Sequence, residues 1–218
     1  MSALYRYLLL SVLLSQRYLP PTLIFLAALA VGVTSDSGPL QSSYAFCVLA
    51  VLVCSTWLAV SVVNHEDPTQ RRITLVTIGD SSRVLAVTVA VVLTWAVPLV
   101  GIGLVYPIVT GRHVVTAGAL AVGAVAQLAA AMLGTAIGLL CSRLVIPRIG
   151  LATLAAAAAL LAVLLIRWLS PIRPIMSLLF NDQTPGQNAV PVALLALLCA
   201  AVLALATLAT RAIVDRTG

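Results

Sequence analysis

The sequence predicts an all-α integral membrane protein: six transmembrane helices, an N-terminal interfacial helix and one further helix on the cytoplasmic side. Three observations carry this. Hydrophobic residues make up 62% of the 218 residues and charged residues 8%, with mean hydropathy +1.15, whereas soluble domains run near 45–50% apolar and about 25% charged. The apolar residues fall in runs close to the roughly 20 that an α-helix needs to cross a bilayer. Charge is concentrated, with six of the eighteen charged residues lying between Asn64 and Arg83. The chain reads as a single transmembrane domain over 1–218, with no room for a soluble domain of ordinary size.

Residues 3–19 form the first apolar block, with Arg6 and Arg17 inside it. In one continuous helix the two arginines stand about three turns apart and share a face with Ser2. A helix lying in the membrane interface suits this pattern better than a span. The rival reading is a secretory signal, with Arg6 in its basic region and Ala28-Leu29-Ala30 as the cleavage site.

Spans are expected at about 19–33, 44–63, 84–106, 114–141, 149–168 and 189–210. Pro20-Pro21 should break the first from the interfacial helix, and Asp36-Ser37-Gly38-Pro39 turns it out. Pro98 is a candidate kink in the third. The fourth is longer than the bilayer is thick, so it tilts or projects. Pro107 to His113 makes a short outer turn. The outer segment 170–191 differs: it holds Pro171, Pro174, an apolar patch (Ile175, Met176, Leu178, Leu179, Phe180) and a polar turn. Such a patch belongs in the headgroup region or folded back into the protein.

Arginine placement sets the orientation. With both termini cytoplasmic, nine arginines lie inside (Arg6, Arg17, Arg71, Arg72, Arg83, Arg143, Arg148, Arg211, Arg216) and three outside (Arg112, Arg167, Arg173), as the positive-inside rule requires. Tyr44, Tyr106 and Trp168 fall at outer ends, where interfacial anchors sit. The expected location is the cell membrane, multi-pass, of the bacterial plasma-membrane type.

The polar insert after the second span has the grammar of a helix. Asp67 suits the N-cap, Pro68 the first helical position, and Gln70 completes a capping-box pattern. Gly79 can take the left-handed position past the end. The spacing predicts a helix over 68–78, with Arg71 and Arg72 projecting and Ile73, Leu75 and Val76 offering apolar contacts. Asp80-Ser81-Ser82 can cap the next span. Arginines alone would fix topology, but topology does not need a capped helix with an apolar side. The insert therefore reads as a docking element.

Composition also excludes function classes. All twelve basic residues are Arg, so the chain lacks the Lys of a phosphate-binding loop and cannot be a P-loop ATPase by itself. Schiff-base chemistry is equally excluded. An Arg-rich, Lys-free composition also fits drift in a GC-rich genome, and the exclusions hold whatever its cause. Cys47, Cys54, Cys141 and Cys199 are scattered through apolar runs and read as small hydrophobes. His65 and His113 are isolated, so no metal site is expected. No span carries a mid-membrane Asp, Glu, Arg or His, which argues against a proton- or ion-coupled carrier. Paired aspartates and a G-x-S-x-G elbow are absent, so the chain reads as non-catalytic.

Uncharged polar residues inside the spans are Ser55, Thr56 and Ser61, Thr88 and Thr94, Gln127, and Thr153. Gln127 is the most polar deep residue, and a cross-helix bond explains it better than substrate contact. Ala130, Gly134 and Gly138 form a small-residue ladder that permits close helix approach, within the chain or between subunits. Trp57 and Trp95 sit mid-span and read as core.

Together these features resemble the permease subunits of ABC-2-type transporters. The resemblance covers nearly the whole chain as architecture. At motif level it rests on Glu66 just past the second span, the apolar helix containing Leu75, and Ser82-Arg83 opening the third span. The Gly-Thr that often follows the Glu, and the Lys often found early in the third span, are missing. The resemblance implies an exporter core of two permease subunits, the second the same or a homologous chain, bound to two cytoplasmic ABC ATPase subunits. ATP and Mg would be bound by the ATPase, with no cofactor in this chain and no nucleic-acid partner. It implies that 68–78 is the coupling helix, with Glu66, Asp67, Gln70, Arg71, Arg72, Leu75 and Arg83 at the ATPase contact. The second and fifth spans would line the path, making Ser55, Thr56 and Thr153 substrate-path candidates, with Gln127 added for its depth. A reading from a different class is a membrane scaffold or assembly factor whose insert recruits another cytoplasmic partner.

Overall fold

In the computed structural model, which describes residues 2–33, 39–65, 80–111, 113, 115–146, 148–166, 170–180 and 185–217, every regular element is a helix. In chain order these are α1 (Ser2–Leu14), α2 (Leu19–Gly32), α3 (Leu40–Val63), α4 (Ser81–Thr110), α5 (Ala117–Leu140), α6 (Ile149–Leu165), α7 (Ile172–Phe180) and α8 (Pro185–Thr217). Four of them, α3, α4, α5 and α8, are long and apolar enough to cross a membrane. Helices α1 and α2, bent by 66° at the break between them, add a fifth if taken as one span. At 17 residues, α6 is about 25 Å long, short of the ~30 Å hydrocarbon core. The chain is thus a helical, multi-pass membrane protein.

The break after α1 is not where the prolines are. It falls at 15–18, where Gln16 adopts φ 55° and its carbonyl accepts from the Leu19 amide at 3.1 Å. Pro20 and Pro21 occupy the first turn of α2, where an absent N–H forfeits no helical bond. The break also removes the continuous helix on which Arg6 and Arg17 were to share a face. Helix α1 packs against α4, and Leu8 and Val12 belong to one buried apolar cluster with Leu58 and Val62 of α3 and Val87 and Val91 of α4. Tyr5 and Thr94 share a hydroxyl hydrogen bond of 2.8 Å, and the Tyr18 ring stacks on Trp95 at 4.5 Å.

Other boundaries move for local reasons. Helix α4 runs through Pro98 and Pro107 to Thr110, beyond the expected end near 106. In apolar surroundings, carbonyls freed by an early stop would have no water to turn to. Here the Thr110 hydroxyl donates to Tyr106 O at 2.8 Å and the Gly111 amide to Pro107 O at 3.0 Å. Helix α5 starts later than 114 because Thr116 is its cap, accepting from the Ala119 amide at 3.3 Å. Helix α8 begins earlier than expected, at Pro185, and continues through Pro191. Within 170–191 the apolar patch folds back as α7, burying Ile172, Ile175 and Leu179; Phe180 stays 59% exposed.

Helix α5 lies at the centre, against α3, α4 and α8. A Cβ on Gly134 would stand 2.7 Å from Leu52 O and 3.1 Å from the Thr56 amide of α3, and one on Gly138 would stand 2.8 Å from Thr56 O. The ladder of Ala130, Gly134 and Gly138 therefore serves packing inside this chain. Gly123 is covered by the Tyr44 ring in the same way. Contacts advance together along both helices, so α3 and α5 run parallel, with α4 returning between them. At one end the Asn64 side-chain oxygen accepts from the Arg143 amide at 2.9 Å, joining the last turn of α3 to the exit of α5. At the other, Asn188 of α8 donates to Leu178 O of α7 at 2.9 Å and to Gln41 Oε1 of α3 at 3.5 Å. The four cysteines are free and buried.

Candidate functional site

Helix α3 has two working faces. One is closed by the glycines of α5; the other looks toward α6 across a groove of about 430 Å³, within the roughly 300–1,000 Å³ of ligand sites. From α3 the wall is Val53, Thr56, Trp57, Val60, Ser61 and Asn64; from α6 it is Thr153, Ala156, Ala157 and Leu160. Both sets follow the three-and-four spacing that lines up one face of a helix. Arg17, in the turn before α2, closes the Asn64 end.

The groove exists because α6 is built from small residues and leans little on its neighbours. The run of alanines from Ala155 to Ala159 leaves space that larger side chains would fill. Leu151, Leu154, Leu161 and Leu165 point outward and are more than half exposed. Trp57, expected in the core, is instead 43% exposed and forms part of the groove wall.

The groove is less polar than its residue names suggest. The Thr56 hydroxyl donates to Leu52 O at 2.8 Å and the Thr153 hydroxyl to Gly150 O at 2.9 Å. Both hydroxyl protons are thereby spent within their own helices. The charged and amide groups stand at one end, where Arg17, Asn64 and the adjacent His65 meet. Burial, and then the Arg17 charge, hold the His65 imidazole below its usual range. Its Nδ1 is buried with no hydrogen-bond partner among the described residues.

Of the four substrate-path candidates, the structure brings two together: Thr56 and Thr153 face one another across the groove. Ser55 is on the closed face, donating to Leu52 O at 3.1 Å beside Gly134. Gln127 is fully buried, abuts Gly103 of α4, and finds no hydrogen-bond partner for either amide atom. The cross-helix bond expected of Gln127 is therefore absent among the described residues. Sequence reasoning missed Arg17, Trp57, Ser61 and Asn64 as groove residues. Their register with Val53 and Thr56 on α3 was the available signal; for Arg17 there was none.

Of the expected ATPase-contact residues, Glu66, Asp67, Gln70, Arg71, Arg72 and Leu75, with the whole 68–78 helix, lie outside the described residues. Arg83 is within them, paired with Asp80 at 3.1 Å. Asp80 caps α4 as expected, accepting from the Ser82 amide at 2.9 Å. The Ser82 hydroxyl bond, with smaller help from Arg83, keeps the Asp80 carboxyl below its ordinary range. No group of three or more His, Cys, Asp or Glu that could hold a metal ion occurs among the described residues. No family model, no curated protein and no solved structure matches this chain.

Proposed function

We propose that the chain is the membrane-spanning permease subunit of an ATP-driven ABC exporter, coupling ATP hydrolysis by a separate ATPase subunit to substrate export through the 68–78 helix. In this reading α2, α3, α4, α5, α6 and α8 are six spans and α1 is interfacial. Both termini and the Asn64 end of the bundle face the cytoplasm, and a second permease subunit completes the core.

The observation that carries the reading is the attachment of the polar insert. Helix α3 runs unbroken from the groove wall to Asn64, where the insert begins, and α4 starts from the Asp80 cap where it ends. A push on the insert would pass into both helices, and α3 is the helix that lines the groove. Rigid helices carry displacement in this way when they have alternative arrangements, and the thinly packed α6 supplies the wall that can move. Further support comes from the side chains: no Asp, Glu, Arg or His is fully buried among the described residues, which favours an external source of energy for a carrier of this kind.

Purification in mild detergent tests the proposal. An ABC ATPase subunit should co-purify and hydrolyse ATP in the complex. Reversing charge at Arg71 and Arg72 together should weaken that association by up to about thirtyfold, since exposed ion pairs contribute about 0–1 kcal/mol each. Cysteine labelling must show an unchanged orientation in the double variant. Absence of any ATPase from the complex sinks the proposal and leaves the scaffold reading.

A further inference from the structure

The groove between α3 and α6 has a chemistry that narrows its occupant. From Val53 to Asn64 it follows α3 for roughly 16 Å, about half of the ~30 Å hydrocarbon core. It is therefore one leaflet deep. Val53, Trp57, Val60, Ala156, Ala157 and Leu160 line most of its length, Ser61 adds one hydroxyl toward the Asn64 end, and its threonine hydroxyls are turned into their own helices. A sugar or peptide would find few partners there, whereas an alkyl chain would lose nothing.

The Asn64 end is the opposite. Arg17 is exposed and is the only charged residue among the described residues that line the groove. Among the described residues the only ion pair is between Asp80 and Arg83, so Arg17 has no carboxylate partner among them. Its field reaches the neighbouring His65, which it helps to keep uncharged. A guanidinium at the mouth of an apolar trough attracts an acidic group carried on an apolar tail.

We infer that the groove binds one acyl chain of an anionic membrane lipid, with the acidic headgroup on Arg17 and the chain laid along α3 and α6. The occupant enters from the leaflet at the Asn64 end, because the groove's depth matches that leaflet and its cation lies at the headgroup level. This names the substrate class of the proposed exporter and rests on that reading for transport alone; binding does not depend on it.

Binding is measured on the purified chain, delipidated in detergent and mixed with equal amounts of phosphatidylglycerol and phosphatidylcholine of matched chains. Native mass spectrometry then counts the lipid retained. Phosphatidylglycerol should be preferred, and Arg17→Ala should cut that preference about fivefold, the effect of one basic residue near an anionic surface. Arg17→Lys should retain it. Ala157→Trp, at an exposed position that tolerates bulk, should lower retention of both lipids by filling the trough. Equal retention of the two lipids by the unaltered chain overturns the inference, as does a preference that survives Arg17→Ala. Competition by glycerol phosphate as strong as by the lipid removes the acyl-chain part. No ATPase is present in this measurement, so failure here and failure to co-purify an ATPase are separate results.

Discussion

The two faces of α3 pack in opposite ways. Toward α5, backbone meets backbone: the positions a Cβ would take on Gly134 and Gly138 are already held by Leu52, Thr56 and Val60 main-chain atoms. Toward α6, the same helix shows Val53, Trp57 and Ser61 to an open trough. In a membrane, lipid tails compete equally for apolar side chains, so close association depends on shape and small residues. The glycine face has that shape and the alanine face does not. One helix can thereby be fixed to the body of the bundle and still present a changeable wall.

The largest expected effect comes from breaking the closed face. Gly138→Leu would set a branched side chain against Thr56 O and the Val60 amide, main-chain atoms that can yield only if α3 and α5 part. Overpacking of this kind costs about 1–3 kcal/mol or more, and folded yield with melting temperature in detergent reads it. A bulky residue at Ala157, on the open face, should leave both unchanged. If the two variants melt alike, the contrast between the faces is wrong.

Much of this contrast was legible in the sequence, and the limits are physical. The small-residue ladder and the Asp80 cap follow from spacing along helices, which sequence reports directly; Thr56 and Thr153 were named together only through the family resemblance. Which helix the ladder meets depends on tertiary packing, and the sequence could not choose between an intrachain and an intersubunit partner. Trp57 was misplaced because a mid-span aromatic next to a poly-alanine helix has nothing to cover it, and that depends on the neighbour. The break at Gln16 was hidden by Pro20-Pro21, a louder signal that turned out to start a helix. The folding back of 170–191 was half visible: the apolar patch was evident, and α7 shows that Ile172, Ile175 and Leu179 turn inward.

A smaller effect is expected at Gln127, which sharpens what closed packing costs. Its amide is buried against Gly103 without a partner, and an unsatisfied buried polar group costs about 1–3 kcal/mol. Gln127→Leu keeps the approximate volume and removes the amide. The variant should melt at the same or a higher temperature, its stability rising by up to about 1–3 kcal/mol. A clear drop would show that the amide has a partner in the working membrane protein, a water or a transported molecule, and would move Gln127 to the functional side of the comparison.

The smallest effect belongs to the mouth of the open face. His65 is held below its usual range first by burial and then by Arg17, so the folded chain prefers the neutral imidazole. Once the region opens, the imidazole titrates near its ordinary value of about 6.5. Stability from this group is therefore fully present above that value and is lost as pH falls from it toward the lower folded value. Melting temperature should drop between about pH 7.5 and 5.5. His65→Gln should flatten that slope. Arg17→Ala should only reduce it, because burial is the larger cause and stays in place. A slope abolished by Arg17→Ala would mean that charge, not burial, governs the site, and the groove mouth would then be wetter than its geometry indicates.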